Sequence, residues 1–212
     1  MSHPTSVPRG SPLHYLMLAL LATACLLPLV IMTMTSLKTE AQIFDTQWSW
    51  LFAPTLDNYR AVVEENHIER YMLNSLKVSL AATLITLMLG TMCAYAMARF
   101  RFLGREPLSY STLILRTLPP AVLAVPVFVI WSAWGIGDTL SGVVLVYVAL
   151  NLPFTIWLLY GFIDQLPIEL EEAAAIDGCG PFRVFYKIVL PLLKPGLAAA
   201  AIFTFRLAWN EF

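Results

Sequence analysis

Charge is scarce in this chain. Only 13% of its 212 residues are charged, whereas water-soluble domains carry roughly 25%. Apolar residues make up 58% of the chain, and the mean hydropathy is +0.72. One globule cannot hide so much apolar surface, so we expect much of it to face lipid. The net charge of −1 and the lack of a basic stretch argue against nucleic acid as a partner.

The sequence also lacks the patterns that metal, nucleotide or covalent chemistry needs. Its three cysteines, Cys25, Cys93 and Cys179, lie far apart and match no metal or redox spacing, so we interpret them as small apolar residues. No G-x-x-x-x-G-K-[ST] phosphate loop is present. No serine lies in a nucleophile motif, and the apolar segments hold no paired acids. We therefore expect no catalytic residue, no metal ligand and no bound cofactor, and the chain is predicted not to be an enzyme.

Long apolar runs dominate what remains. The first four of them reach the roughly 20 residues that a helix needs to cross hydrocarbon. No alternating strand pattern appears, so we predict an all-α, polytopic membrane helix bundle. The first run continues past Cys25, further than a signal peptide's apolar core, which favours a retained span. The five predicted spans are Leu13–Met34, Leu73–Met97, Leu108–Trp131, Leu140–Ile163 and Gly196–Phe212.

Basic residues set the expected orientation, because they favour the cytoplasmic side. One side of the predicted bundle has seven of them: Arg9, Arg99, Arg101, Arg105, Arg183, Lys187 and Lys194. The other side has four: Lys38, Arg60, Arg70 and Lys77. The N-terminus is thus predicted to be cytoplasmic. The chain divides into a cytoplasmic tail (1–12), a first transmembrane helix (13–36), an external loop (37–72) and a core (73–212).

The segment 164–194, which we call the insert, is longer than an ordinary connector between spans. Pro167 and the acids that follow it predict a short helix, which Asp177-Gly178 ends in a turn. Gly180-Pro181 then starts a second helix, which we expect Pro191 and Pro195 to end. Its apolar residues recur at helical spacing: Phe182, Phe185, Ile188 and Val189. The pattern leaves two interpretations open, docking into a partner's groove or packing on the membrane surface.

A motif inside the insert resembles a known family. Glu172-Ala173-Ala174, three residues, Gly178, nine residues and Ile188-Val189-Leu190-Pro191 match E-A-A-x3-G-x9-I-x-L-P at every position. This is similar to the cytoplasmic signature of permease subunits of bacterial ATP-binding-cassette (ABC) importers. Four further stretches resemble carbohydrate-importer permeases, above all the smaller inner-membrane permease of the maltose type: Tyr95–Phe100, Leu118–Pro120, Asn151–Phe154 and Trp209–Phe212. The resemblance implies the type I permease fold, with a sixth span after the five visible here.

The resemblance also implies roles and partners. Glu172, Ala173, Ala174 and Gly178 would form the corner that docks on the ATPase. The resemblance implies two separate ATPase subunits that hold ATP and Mg²⁺, a second permease subunit, an extracytoplasmic solute-binding protein and a sugar or polyol substrate, in a bacterial inner membrane. Three further residues are candidates for the same contact, Asp177 as a charged partner and Phe182 and Phe185 as apolar anchors. Glu171 is as compatible with simple solvation as with a contact to the ATPase.

Polar groups at membrane depth are candidates for the solute path, because a charge within a span is costly. They are Arg116, Asn151, Arg206, Trp209, Asn210 and Glu211. The alternative for the arginines is structural, as a pair with Glu211 or as donors to carbonyls freed by prolines. For the whole chain, the alternatives are an ABC permease for a non-sugar solute and a membrane scaffold that only docks a cytosolic partner.

Overall fold

The computed structural model describes residues 11–45, 50–65, 67–117 and 119–210, and over these ranges the chain is helical without strands. The helices are α1 Pro12–Ser36, α2 Glu40–Ile43, α3 Asp57–Glu64, α4 Ile68–Arg99, α5 Arg105–Thr117, α6 Pro120–Trp134, α7 Leu140–Asp164, α8 Glu169–Ile176, α9 Pro181–Val184, α10 Leu190–Leu192 and α11 Lys194–Asn210; a π-helical turn, Phe185–Val189, joins α9 to α10. The chain forms two compact units, Met1–Glu69 and Arg70–Phe212.

The first unit consists of a long apolar helix followed by a short polar segment. None of the residues of α1 is buried, as expected of a helix whose surroundings are lipid or another protein. At the C-terminal end of α1, the side chain of Asn58 links α3 to the preceding segment. It donates hydrogen bonds to the carbonyl oxygens of Ser36 and Lys38 at 3.0 and 2.7 Å. A capping box between Thr39 and Gln42 starts α2.

Three helices of the described chain are long and apolar enough to cross a membrane: α1, α4 and α7, whose most apolar 18-residue stretches have mean hydropathies of 2.4, 1.7 and 2.0. The segment Pro181–Leu192 and α11 pass the same test together, with a bend of 74° between them, and would make a fourth span if they count as one. Helix α11, which corresponds to the last predicted span, begins at Lys194, slightly before the expected Gly196.

The prediction of one continuous third span, Leu108–Trp131, is wrong. The structure has two shorter helices there, and α5 ends at Thr117. Pro119 and Pro120 are consecutive, and neither has the N–H that would continue the α-helical hydrogen bonding. Proline also disfavours helical backbone in the residue before it, so α6 starts anew with Pro120 in its first turn.

Helix α7 is the centre of the second unit, where it packs against α5, α6 and α11. Small and hydroxyl-bearing residues make close approach possible. On α11 every fourth residue is buried: Gly196, Ala200, Thr204 and Ala208. The hydroxyls of Thr155 on α7 and Thr204 lie 3.3 Å apart, which joins the two helices by a buried hydrogen bond.

At Gly90, helix α4 lies directly against α7. A Cβ atom at this position would lie 2.7 Å from Cγ2 of Thr155. We expect Gly90→Ala to destabilise the protein by about 1–3 kcal/mol through overpacking, measured as a lower melting temperature in detergent. Thr155→Ser removes the obstructing methyl group and keeps the hydroxyl, so it should restore stability to Gly90→Ala. The control is Gly161→Ala on α7, where nothing lies within 4 Å of the new Cβ. Equal losses at Gly90 and Gly161 would contradict this account of the packing.

Candidate functional site

Helix α8 presents two different faces. Ala174 is buried with 6% exposure, and Glu171, one turn earlier and largely shielded from solvent, lies on the same side. Glu172, Ala173 and Asp177 are exposed. The predicted corner therefore divides into an inner alanine that anchors the helix and an outer row that a partner can reach. The helix begins at Glu169, two residues later than Pro167 led us to expect.

The turn predicted at Asp177-Gly178 is a Schellman motif. Gly178 has φ +83°, in the left-handed region. Its N–H donates to the Ala175 carbonyl at 3.0 Å, and the N–H of Cys179 donates to the Ala174 carbonyl at 3.0 Å. Because a Cβ strains this backbone conformation, glycine gives the turn its shape. The corner is therefore fixed by hydrogen bonds within the chain.

The two predicted aromatic anchors have different surroundings. Phe182 is 83% exposed, whereas Phe185 is half-buried, and its ring centroid lies 4.9 Å from that of Tyr95. Phe185 therefore holds the insert against α4, and Phe182 is free for contact with another molecule. Ile176, at the end of α8, is exposed by 87% and adds apolar surface to the insert.

Pro191 does not end the second helix of the insert, contrary to expectation. Pro191 has no N–H for the Lys187 carbonyl, and the turn before it widens into the π form. There the N–H of Leu190 donates to the Phe185 carbonyl five residues earlier. The chain stays helical through Leu192 and bends only before Lys194.

Sequence reasoning missed the polar cluster that holds the insert to the bundle. The Arg99 Nε atom donates to Glu171 Oε1 at 2.6 Å, and the two side chains are only 10% and 11% exposed. The Tyr95 hydroxyl donates to the other carboxylate oxygen, Oε2, at 2.9 Å. The interpretation of Glu171 as solvated is therefore wrong. One available signal was the three-residue spacing of Glu171 and Ala174, which puts both on one helix face.

The candidates for the solute path lie in different environments. Asn151 is 3% exposed, and its amide donates to the Tyr147 carbonyl within α7, which stays helical through Pro153. Arg206 and Asn210 are exposed, four residues apart on α11. Trp209 is half-buried and stacks on Phe205 with a centroid distance of 5.7 Å. The side chain of Arg116 and all of Glu211 lie outside the described residues.

Apolar helices long enough to cross a membrane, with a folded polar insert before α11, make up a membrane-embedded helical protein. Residues 68–212 match the family described as the binding-protein-dependent transport system inner membrane component. The chain belongs to this family. It is a permease subunit of an ABC importer in the inner membrane, and it works with a solute-binding protein and an ATPase.

Individual relatives are similar over most of the chain. The diacetylchitobiose uptake permease NgcG of Streptomyces coelicolor is 37% identical over 96% of this chain and 68% of its own length. The sulfoquinovosyl glycerol transport permease SmoH of Agrobacterium fabrum is 34% identical, with coverages of 96% and 72%. The trehalose transport permease SugB of Mycobacterium tuberculosis is 39% identical, with coverages of 74% and 57%.

A solved structure supports the fold. The crystal structure of a bacterial ABC transporter involved in import of the acidic polysaccharide alginate contains a chain that matches with a TM-score of 0.80. The match covers 96% of this chain and 74% of that one at 20% identity. The all-α membrane bundle of the permease type is thereby confirmed.

Glu171 should matter more for stability than its neighbour. We expect Glu171→Ala to destabilise the protein by about 2 kcal/mol or more, because it removes charge-assisted hydrogen bonds and leaves Arg99 without its carboxylate. Glu172→Ala, at an exposed position on the same helix, is the matched control and should change stability little. Thermal unfolding in detergent measures both, and a larger effect at Glu172 would contradict the assignment.

Proposed function

We propose that the insert docks on a separate ATPase subunit and couples ATP hydrolysis there to import of a sugar or polyol by this chain. The observation that carries the proposal is the Schellman corner, which holds α8 in a fixed shape while its outer row of residues stays accessible. A preformed corner loses little conformational entropy when it binds. ATP and Mg²⁺ are bound by the partner ATPase, and this chain holds no cofactor.

The chemistry of the exposed corner suits a protein partner. Glu172 and Asp177 offer carboxylates to basic residues, and Ala173 lets a partner backbone approach closely. Ile176 and Phe182 supply apolar side chains that water solvates poorly and a groove would bury. Glu172 and Asp177 would be poorly placed against acyl chains, which favours docking over packing on the membrane surface.

The orientation follows from the same assignment. An ATPase that uses cytosolic ATP requires the insert to be cytoplasmic, and the seven basic residues on that side agree with it. The N-terminus is then also cytoplasmic, and residues 37–72 face the solute-binding protein outside. The complete assembly has a second permease subunit and two ATPase subunits, one of them on this insert.

A sugar or polyol is the proposed solute because of the relatives and the exposed polar groups. The relatives are named for diacetylchitobiose, trehalose and sulfoquinovosyl glycerol, all of which carry sugar hydroxyls. On α11, Arg206 and Asn210 can donate hydrogen bonds to hydroxyls, and Trp209 offers an aromatic face. Uptake assays with a panel of labelled disaccharides, amino acids and peptides test the class.

The exposure of Arg206 supports a place beside the path. It forms no ion pair with any residue that the structure describes, and it lies in the interior of an apolar helix. An arginine facing lipid at that depth is costly. We therefore assign its side chain to a water-filled path or to the boundary with the second permease.

Docking is tested at Gly178. In Gly178→Arg, a bulky side chain stands at the corner and the left-handed backbone is strained, so the ATPase should no longer co-purify with the tagged full-length permease. Gly137→Arg is the matched control, since Gly137 is also exposed with open space around its Cβ position but lies outside the insert. Retention of the ATPase by Gly178→Arg, or its absence from the wild type, would overturn the proposed docking.

Transport is tested at Arg206. We expect Arg206→Gln to lower the uptake rate of the labelled sugar about tenfold, since a charged donor to the solute is lost, while the ATPase still co-purifies. Arg206→Lys keeps the charge and should have an intermediate rate. Unchanged uptake by Arg206→Gln would place this residue away from the path, and parallel loss of the permease from the membrane would assign it a structural role.

A further inference from the structure

We infer that Arg99 is the positioning residue that makes the insert and helices α4 and α7 move together. The inference rests on the proposed docking of the insert. Docking on the ATPase and transmission of its movement to the bundle then depend on different residues. The outer row of α8 contacts the partner, and Arg99 holds the inner side of the same helix.

Arg99 joins three elements at one point. It is the last residue of α4, and its Nε atom donates to Glu171 Oε1 on α8. Its Nη2 atom donates to the carbonyl oxygens of Ile163, in the last turn of α7, and Leu166, just beyond it, at 2.9 and 3.0 Å. A cation at a helix C-terminus also interacts favourably with the helix dipole. One guanidinium therefore fixes the ends of two long helices and the first half of the short one.

Tyr95 makes the link to α4 a double one. It lies one turn before Arg99, and its hydroxyl bonds the second oxygen of the same carboxylate. Both oxygens of Glu171 are thus held by side chains of α4, which restrains the carboxylate in position and in rotation. The ring of Tyr95 packs on Phe185, so α4 also contacts the π turn of the insert.

Apart from the polar cluster, α8 packs against α9 and the π turn, which belong to the insert itself, so these contacts do not tie it to α4 or α7. Its inner face otherwise contributes Ala174 to the buried apolar cluster, and a single alanine has little area to resist rotation. The connection to α7 is the short segment from Gln165 to Ile168. Without Arg99, the polar link from α8 to the end of α7 is lost and only the Tyr95 hydroxyl still bonds Glu171, so α8 would follow the ATPase with α4 and α7 lagging behind. Loss of Arg99 should therefore uncouple ATP hydrolysis from solute transport and leave the docking surface intact.

The test uses the complete transporter, reconstituted in proteoliposomes, with solute moved per ATP hydrolysed as the readout. In Arg99→Ala we expect the ATPase to co-purify as in the wild type and this ratio to fall at least about fivefold, the scale of a modest coupling energy. Arg101→Ala is the matched control, because Arg101 is exposed two residues further along the chain. Arg99→Lys should lie in between, since one ammonium cannot bridge the carboxylate and both carbonyls as the planar guanidinium does.

A double-mutant cycle separates transmission from simple destabilisation. If Arg99 and Glu171 act as a unit, the ratio in Arg99→Ala/Glu171→Gln should be no lower than in Arg99→Ala alone. A purely structural role would lower the amount of assembled transporter and leave the ratio per assembled complex unchanged, which would overturn the inference.

The other outcomes distinguish this inference from the proposed docking. If Arg99→Ala loses the ATPase while the wild type retains it, Arg99 is needed for docking, and a role in transmission without docking is refuted. A ratio in Arg99→Ala equal to that in Arg101→Ala would refute the inference and leave the docking standing. Failure of the wild type to bind an ATPase would remove the docking itself.

Discussion

The buried ion pair between Arg99 and Glu171 is the interaction on which the arrangement of the insert depends. Removing two charges from water is costly, and a pair alone often does not recover that cost. Here the guanidinium also bonds two carbonyls at the end of α7, and the carboxylate also accepts the Tyr95 hydroxyl, so the polar groups that were desolvated have partners. Such a cluster has one favourable geometry, which an apolar contact of the same size would not impose. It therefore gives the insert a defined position in a protein whose other contacts are mostly apolar.

The rest of the second unit is consistent with a subunit that packs tightly inside and offers its outer faces to lipid and partners. Gly90 and the small residues of α11 let neighbouring helices pack closely, with the Phe162 ring against Gly196, and Thr155 and Thr204 add a buried hydrogen bond. The large apolar side chains lie mainly outside, with Met88, Leu84 and Ile202 all more than 60% exposed. In a membrane, the exposure of these side chains to lipid carries no free-energy penalty, and the small residues provide the specificity of helix packing.

Local patterns predicted much of this structure, and long-range contacts explain what they missed. Hydropathy was sufficient for α1, α4 and α7, and residue chemistry was sufficient for the turn at Gly178 and the helix start at Pro181. The effect of a proline depended on its surroundings, because Pro119-Pro120 divides the third apolar segment whereas Pro191 is accommodated by a π turn. Glu171 was misjudged because its partner Arg99 lies 72 residues earlier, a separation that no local pattern reveals. The family resemblance implied a docking role for the whole corner, including the buried Ala174, and gave no role to Glu171.

The most direct measurement of whether the insert moves with the bundle is the distance between α4 and α8 during the ATP cycle. Spin labels at Cys93, which is exposed on α4, and at Glu169→Cys, at the exposed start of α8, would report it once Cys25 and Cys179 are replaced by serine. The account predicts one narrow distance distribution that is the same in the assembled transporter without nucleotide and with ATP trapped on the ATPase. A distribution that shifts or broadens when ATP binds would contradict it, because α8 would then be moving independently of α4.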